Sequence, residues 1–176
     1  MKLRPIIFVV VSLMLTVTVC AAQSPMGFSP TTFYELFDEM NSVTNGPECV
    51  YMKGDEEQGA FILSSESLGI NMMYSGNKVT DLYLYYYYLS ADEESSEAAL
   101  DMFISTLITL WTFYQYESLE DISTIDGSNM ASEVMGIYLL LQYNKEPLDY
   151  WGYHFEMNTQ EENGYTEGLL RVTKAG

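Results

Sequence analysis

Apolar residues along this chain keep two different rhythms, and the changes between them divide it into elements. Phe33, Leu36, Phe37 and Met40 recur at intervals of three and four, making one stripe of a helix, while Asp38 and Glu39 fall outside it. Thr31 or Thr32 is placed to cap this helix and Asn45-Gly46-Pro47 to stop it. From Cys49 to Leu89 the rhythm shortens to two. Four strands are expected there, at 49–53, 60–67, 68–74 and 78–89, with an acidic turn over 54–59. The last two meet at Ser75-Gly76-Asn77. As a three-residue loop this puts Leu68, Ile70 and Met72 on the face of Thr80, Leu82 and Leu84, and a two-residue loop would exchange the faces.

Ser90 and Glu93 have capping-box spacing and predict a long helix over 91–116. Asp101, Ser105, Thr109 and Thr112 line one side of it, and Phe103, Leu107, Leu110, Trp111 and Tyr114 the other. Its flanks are acidic and lack the Lys/Arg asymmetry that orients membrane spans, so a buried amphipathic helix is expected. A loop over 117–129 leads to a third helix at 130–143.

The last segment is a hairpin closed by Asn163-Gly164, a pair that suits a type I′ turn. The turn sets Glu162 opposite Tyr165, and the pairing then runs outward. Met157 meets Leu170 and Phe155 meets Val172 on one face; Glu156 meets Arg171 on the other, an opposite-charge pair. Trp151 and Tyr153 continue the apolar face. The order α-ββββ-αα-ββ, joined by tight turns, implies a two-layer α+β fold: an antiparallel sheet of about six strands with helices on one face. No internal repeat is visible. The expected organisation is a leader over 1–22, a flexible arm over 23–30 and one domain over 31–174.

The leader is read from Lys2 and Arg4, the apolar run from Ile6 to Val19, and small residues at Ala21 and Ala22, with the cut before Gln23. This mostly apolar run of 14 residues is shorter than the roughly 20 a spanning helix needs, which makes a retained anchor the lesser reading. Lipid attachment at Cys20 is also the lesser one, because Val19 is not the small residue such a site wants. Loss of two basic residues takes the formal charge from −18 to −20. Nucleic acid and anionic lipid are thereby disfavoured as partners. Cys49 would be the one cysteine left, so no disulfide forms within a chain, and no Asn-x-Ser/Thr sequon occurs. These features fit a secreted or cell-envelope protein of a bacterium. Cys49 reads as a small buried hydrophobe, or as a handle for an intermolecular link.

Candidate chemistry is sparse. The single histidine, His154, shares the outer face of the last hairpin with Glu156 and Arg171, and no local motif supplies it with a nucleophile. One His and one Cys do not make a zinc site without two carboxylates, and the acidic stretch from Asp121 to Glu133 fails the spacing of a calcium loop. No phosphate-cradling glycine loop is present. No catalytic residue, metal site or cofactor is therefore assigned.

One stretch remains, DLYLYYYYL over 81–89. In a strand its Leu82, Leu84, Tyr86 and Tyr88 take the face under the helices, and Tyr83, Tyr85 and Tyr87 the other, with rings about 7 Å apart. Exposed, that ladder is a stacking surface for a protein, peptide or glycan; covered, it is core. The expected function is non-catalytic binding through Tyr83, Tyr85 and Tyr87, with His154, Glu156 and Arg171 as neighbours. The alternatives are an acidic inhibitor of immunity type that neutralises a basic partner, and a small exported hydrolase. The oligomeric state is left open.

Overall fold

Most of these changes of rhythm become element boundaries in the computed structural model, which describes residues 24–116, 127–143 and 146–176. The elements are α1 (Pro30–Val43), β1 (Val50–Lys53), β2 (Ala60–Ser65), β3 (Leu68–Ser75), β4 (Lys78–Leu89), α2 (Glu93–Gln115), α3 (Gly127–Tyr143), β5 (Leu148–Tyr150), β6 (Tyr153–Glu162) and β7 (Tyr165–Lys174). The strands form one antiparallel sheet in the order β1-β2-β3-β4-β7-β6-β5. The fold is α+β, with seven strands rather than about six. β4 and β7, distant in sequence, pair along most of their length and join the two halves of the sheet.

The terminal hairpin takes the expected register: Glu162 pairs with Tyr165, Met157 with Leu170, Glu156 with Arg171 and Phe155 with Val172. Asn163 and Gly164 both have positive φ, 54° and 78°, as the type I′ turn requires. The extra strand, β5, escapes sequence reading because Trp151 and Gly152 make its turn to β6, with φ of 52° and 72°. A tryptophan seldom adopts that conformation. Here its ring is buried, and its indole donates to Glu133 at 3.0 Å.

The β3–β4 turn corrects one expectation and preserves its consequence. The loop has two residues, Gly76 and Asn77, both with positive φ. Pairing then steps from Tyr74↔Val79 to Met73↔Asp81, leaving Thr80 as an extra residue in a β-bulge. The bulge reverses the exchange of faces that the short loop imposes. Leu68, Ile70 and Met72 therefore still share a face with Leu82 and Leu84, with Val79 in the place expected for Thr80. The Thr80 hydroxyl donates instead to the Met73 carbonyl at 3.3 Å.

All three helices lie on that face, with α2 between α1 and α3. α1 starts two residues earlier than a cap at Thr31 would give: Ser29 caps it, accepting from the Thr32 N–H at 3.0 Å, and Pro30 occupies the first turn. α2 is capped by Asp92, not Ser90. The Ser90 hydroxyl lies 2.8 Å from that of Thr166, which ties the start of the helix to β7. The supposed polar side of α2 is buried, apart from the half-buried Asp101 near its start. Ser105, Thr106, Thr109 and Thr112 are all inaccessible, and each threonine hydroxyl donates to the carbonyl four residues earlier at 2.7–2.8 Å. A central helix has neighbours on nearly every side, and these back-bonded hydroxyls let it be buried there without orphaned donors. Tyr114, expected inside, is exposed. Among the described residues, no helix is long and apolar enough to cross a membrane.

Residues 24–30 are not a loose arm. Met26 donates to the Val79 carbonyl at 2.8 Å and Val79 to the Phe28 carbonyl at 3.0 Å, while the Phe28 ring stacks on Phe113 at 4.4 Å. Cys49 is half-buried, with its thiol directed at the Pro47 carbonyl.

Candidate binding surface

Among the described residues, the helices cover one side of the sheet and none lies over the other. The covered side holds Leu82, Leu84, Tyr86 and Tyr88 of β4, in the same cluster as the helix core. Tyr83 is buried yet lies outside that cluster, on the open side with Tyr85 and Tyr87. Strand pairing places these tyrosines in rows that cross the sheet. One row runs Met52, Phe61, Asn71, Tyr83, Arg171, Glu156; the next runs Val50, Leu63, Gly69, Tyr85, Leu169, Asn158. A third begins at Tyr87 and continues through Glu167 and Gln160. The open face thus has an apolar, aromatic half over β1–β4 and a charged half over β7, β6 and β5.

The rings lie down rather than stand up. Tyr85 sits opposite Gly69, and its hydroxyl comes so close that a Cβ on Gly69 would meet it at 2.7 Å. Glycine leaves a gap on a strand, and a cross-strand aromatic fills it. Tyr87 stacks on Tyr165 at 5.1 Å with planes 7° apart. Tyr83 lies under Arg171, whose guanidinium is 5.9 Å from the ring centre, and its hydroxyl donates to Asp81 at 3.2 Å. Tyr83 is buried, while Tyr85 and Tyr87 are half-buried against the sheet, which preorganises a flat aromatic surface at these two rings. Burial raises the phenol pKa of all three, with neighbouring acids adding to the effect on Tyr83 and Tyr87.

The charged half is a single connected network. Arg171 donates to Asp81 at 3.0 Å and to Glu156 at 3.1 Å. Glu156 lies 3.6 Å from His154 Nε2, and Asp149 lies 2.5 Å from His154 Nδ1. Among the described residues Asp81 and Glu156 hold the guanidinium, while the more exposed Asp149 and Glu156 flank the imidazole. Beside Tyr83, the buried Asn71 Oδ1 has no hydrogen-bond partner among the described residues.

Of the residues singled out from the sequence, the structure brings Tyr83, Arg171, Glu156 and His154 into one network and sets Tyr85 and Tyr87 along the same face. Sequence reading missed Asp81, Asp149 and Asn71. The pairing of β4 with β7 was not visible, and without it Asp81 has no reason to meet Arg171. It also missed the apolar contribution of β1 and β2: Val50 and Met52 are largely exposed, and Phe61 and Leu63 partly so. Both ring nitrogens of His154 face carboxylates, an arrangement that orients the ring twice over and leaves neither nitrogen aimed at a nucleophile. Asp121 and Asp126 of the acidic stretch weighed for calcium lie outside the described residues. Its last member, Glu133, lies in α3 and accepts from the indoles of both Trp111 and Trp151 at 3.0 Å. Among the described residues, no three His, Cys, Asp or Glu side chains group as metal ligands do. No family model, no curated protein and no solved structure matches this chain.

Proposed function

We propose that this is an exported, non-catalytic binding protein whose ligand lies across the open face of the sheet. The observation that carries the reading is the one-sided placement of the described helices, on the side away from the rows of Val50, Leu63 and Tyr85 and of Met52, Phe61 and Tyr83. A surface so built suits a protein or peptide segment: apolar side chains against the aromatic half, a basic side chain toward Glu156 and Asp149 at the charged edge. A glycan is the poorer fit, since the residues beside the rings in these rows are mostly apolar.

Panning a displayed random-peptide library against the immobilised chain tests this. Enriched peptides are expected to carry aromatic or aliphatic residues next to Lys or Arg, and to lose at least tenfold in affinity to Tyr85→Ser and to Met52→Asp. Peptides that bind both variants as tightly as the parent chain would sink the proposal.

A second reading has its own support. Ser90 donates to the Gly164 carbonyl at 2.9 Å, which brings Glu161 and Glu162 of the β6–β7 turn to the end of the molecule where Asp92, Glu93 and Glu94 begin α2. Five carboxylates at one end of a strongly acidic chain would suit a basic partner, as in an inhibitor of immunity type. Binding by that end collapses at moderate salt, whereas binding by the aromatic rows does not.

A further inference from the structure

The outer face of α3 is built differently from the rest of the surface. Met135, Leu139, Leu140 and Tyr143 are 44%, 46%, 42% and 82% exposed, and only Val134, Ile137 and Leu141 of this helix are buried. The sole charged residue between Gly127 and Tyr143 is Glu133, and its carboxylate turns to the two indoles. In a chain with 25 acidic residues, this exposed helix face carries none.

Its pattern is also specific. At 100° per residue, Ser132, Gly136, Leu139 and Tyr143 fall along one line of the helix, at intervals of four, three and four. That is the spacing of a helix–helix seam. The small members come first and the large ones last, with Met135 and Leu140 flanking. Gly136 leaves a hollow: a Cβ there would touch nothing within 4 Å.

We infer that α3 is a self-association surface, in which a second copy of this chain packs its own α3 antiparallel across a two-fold axis. The sequence of the seam is complementary to its own reverse. Antiparallel pairing sets Leu139 of one copy into the hollow at Gly136 of the other, and Tyr143 over Ser132, each contact occurring twice, as an isologous interface requires. Charge points to the same occupant. Two molecules of formal charge −18 repel wherever acidic surfaces meet, and here they meet with none. The seam lies on the helix layer, opposite the open sheet face, so a dimer would present two such faces outward.

Sedimentation equilibrium of the full chain decides the matter. One helix face is a small interface, so a monomer–dimer equilibrium near 10 µM is expected, tightening as salt screens the net charge. Leu139→Glu places a carboxylate in the seam, and Gly136→Gln fills the hollow while fitting the monomer. Each is expected to weaken association at least tenfold with an unchanged circular dichroism spectrum. A chain that stays monomeric at about 100 µM, ten times that value, overturns the inference. So do variants that associate as the parent does, or a monomer that instead binds neutral phosphatidylcholine vesicles through Leu139.

Discussion

At the scale of single residues, glycines opposite tyrosines do unexpected work on both sides of the sheet. Gly69 receives Tyr85 on the open side. Gly168 receives Tyr86 on the covered side, where a Cβ would lie 2.1 Å from Tyr86 Cζ and where the phenol meets Thr159 at 3.3 Å. Neither pair is legible in sequence, because a glycine in a strand announces only a weakness until its cross-strand neighbour is known. Gly168→Ala is expected to lower stability by about 1–3 kcal/mol through overpacking. In a thermal-melting double-mutant cycle, Tyr86→Ala should absorb much of that loss, with a coupling of more than about 0.5 kcal/mol. Simple additivity would mean that the ring does not occupy the glycine gap.

At the scale of elements, turn chemistry decided what could be read. Asn163-Gly164 fixed the last hairpin's register, and alternation with an opposite-charge pair agreed with it, so every pairing named in advance is found. Ser75-Gly76-Asn77 was ambiguous by one residue, and the bulge at Thr80 compensated for it. Trp151-Gly152 gave no turn signal, and β5 went unseen. The bulge yields a prediction. Deleting Thr80 removes the unpaired residue and restores strict alternation between Val79, Asp81 and Leu82, so the chain should fold with a loss of no more than about 2 kcal/mol. Deleting Tyr83 instead inverts every side chain on one side of the gap, and should abolish cooperative unfolding in urea. Equal tolerance of both deletions would show that the hairpin register is not fixed as described.

At the scale of the whole molecule, protonation links the aromatic content to stability. Burial holds the Tyr153 phenol well above its usual range and raises Tyr83, Tyr85 and Tyr86 as well; the Cys49 thiol is pushed up to about 11, first by burial and then by Asp38. Each group keeps its proton in the folded chain at pH values where the unfolded chain has released it. Stability from these groups is therefore complete below their ordinary pKa values, near 9 and 10, and is lost as pH rises beyond them. Unfolding monitored by circular dichroism is expected to set in above about pH 10, together with a cooperative rise in tyrosinate absorbance. Independent titration of these tyrosines in a still-folded chain would contradict their burial.

Local pattern alone determined the two-layer α+β class, the position of nearly every element, the faces of β4 and the pairings of the last hairpin, because periodicity and turn residues act over a few positions. The placement of α2 at the centre of the helix layer, with its hydroxyls buried, required neighbours from distant parts of the chain. The same holds for the union of β4 with β7, which delivers Arg171 to Asp81, and for the side of the sheet on which the described helices pack. A tyrosine on alternate positions states which way it points; what lies above it is settled only when the helices choose a side.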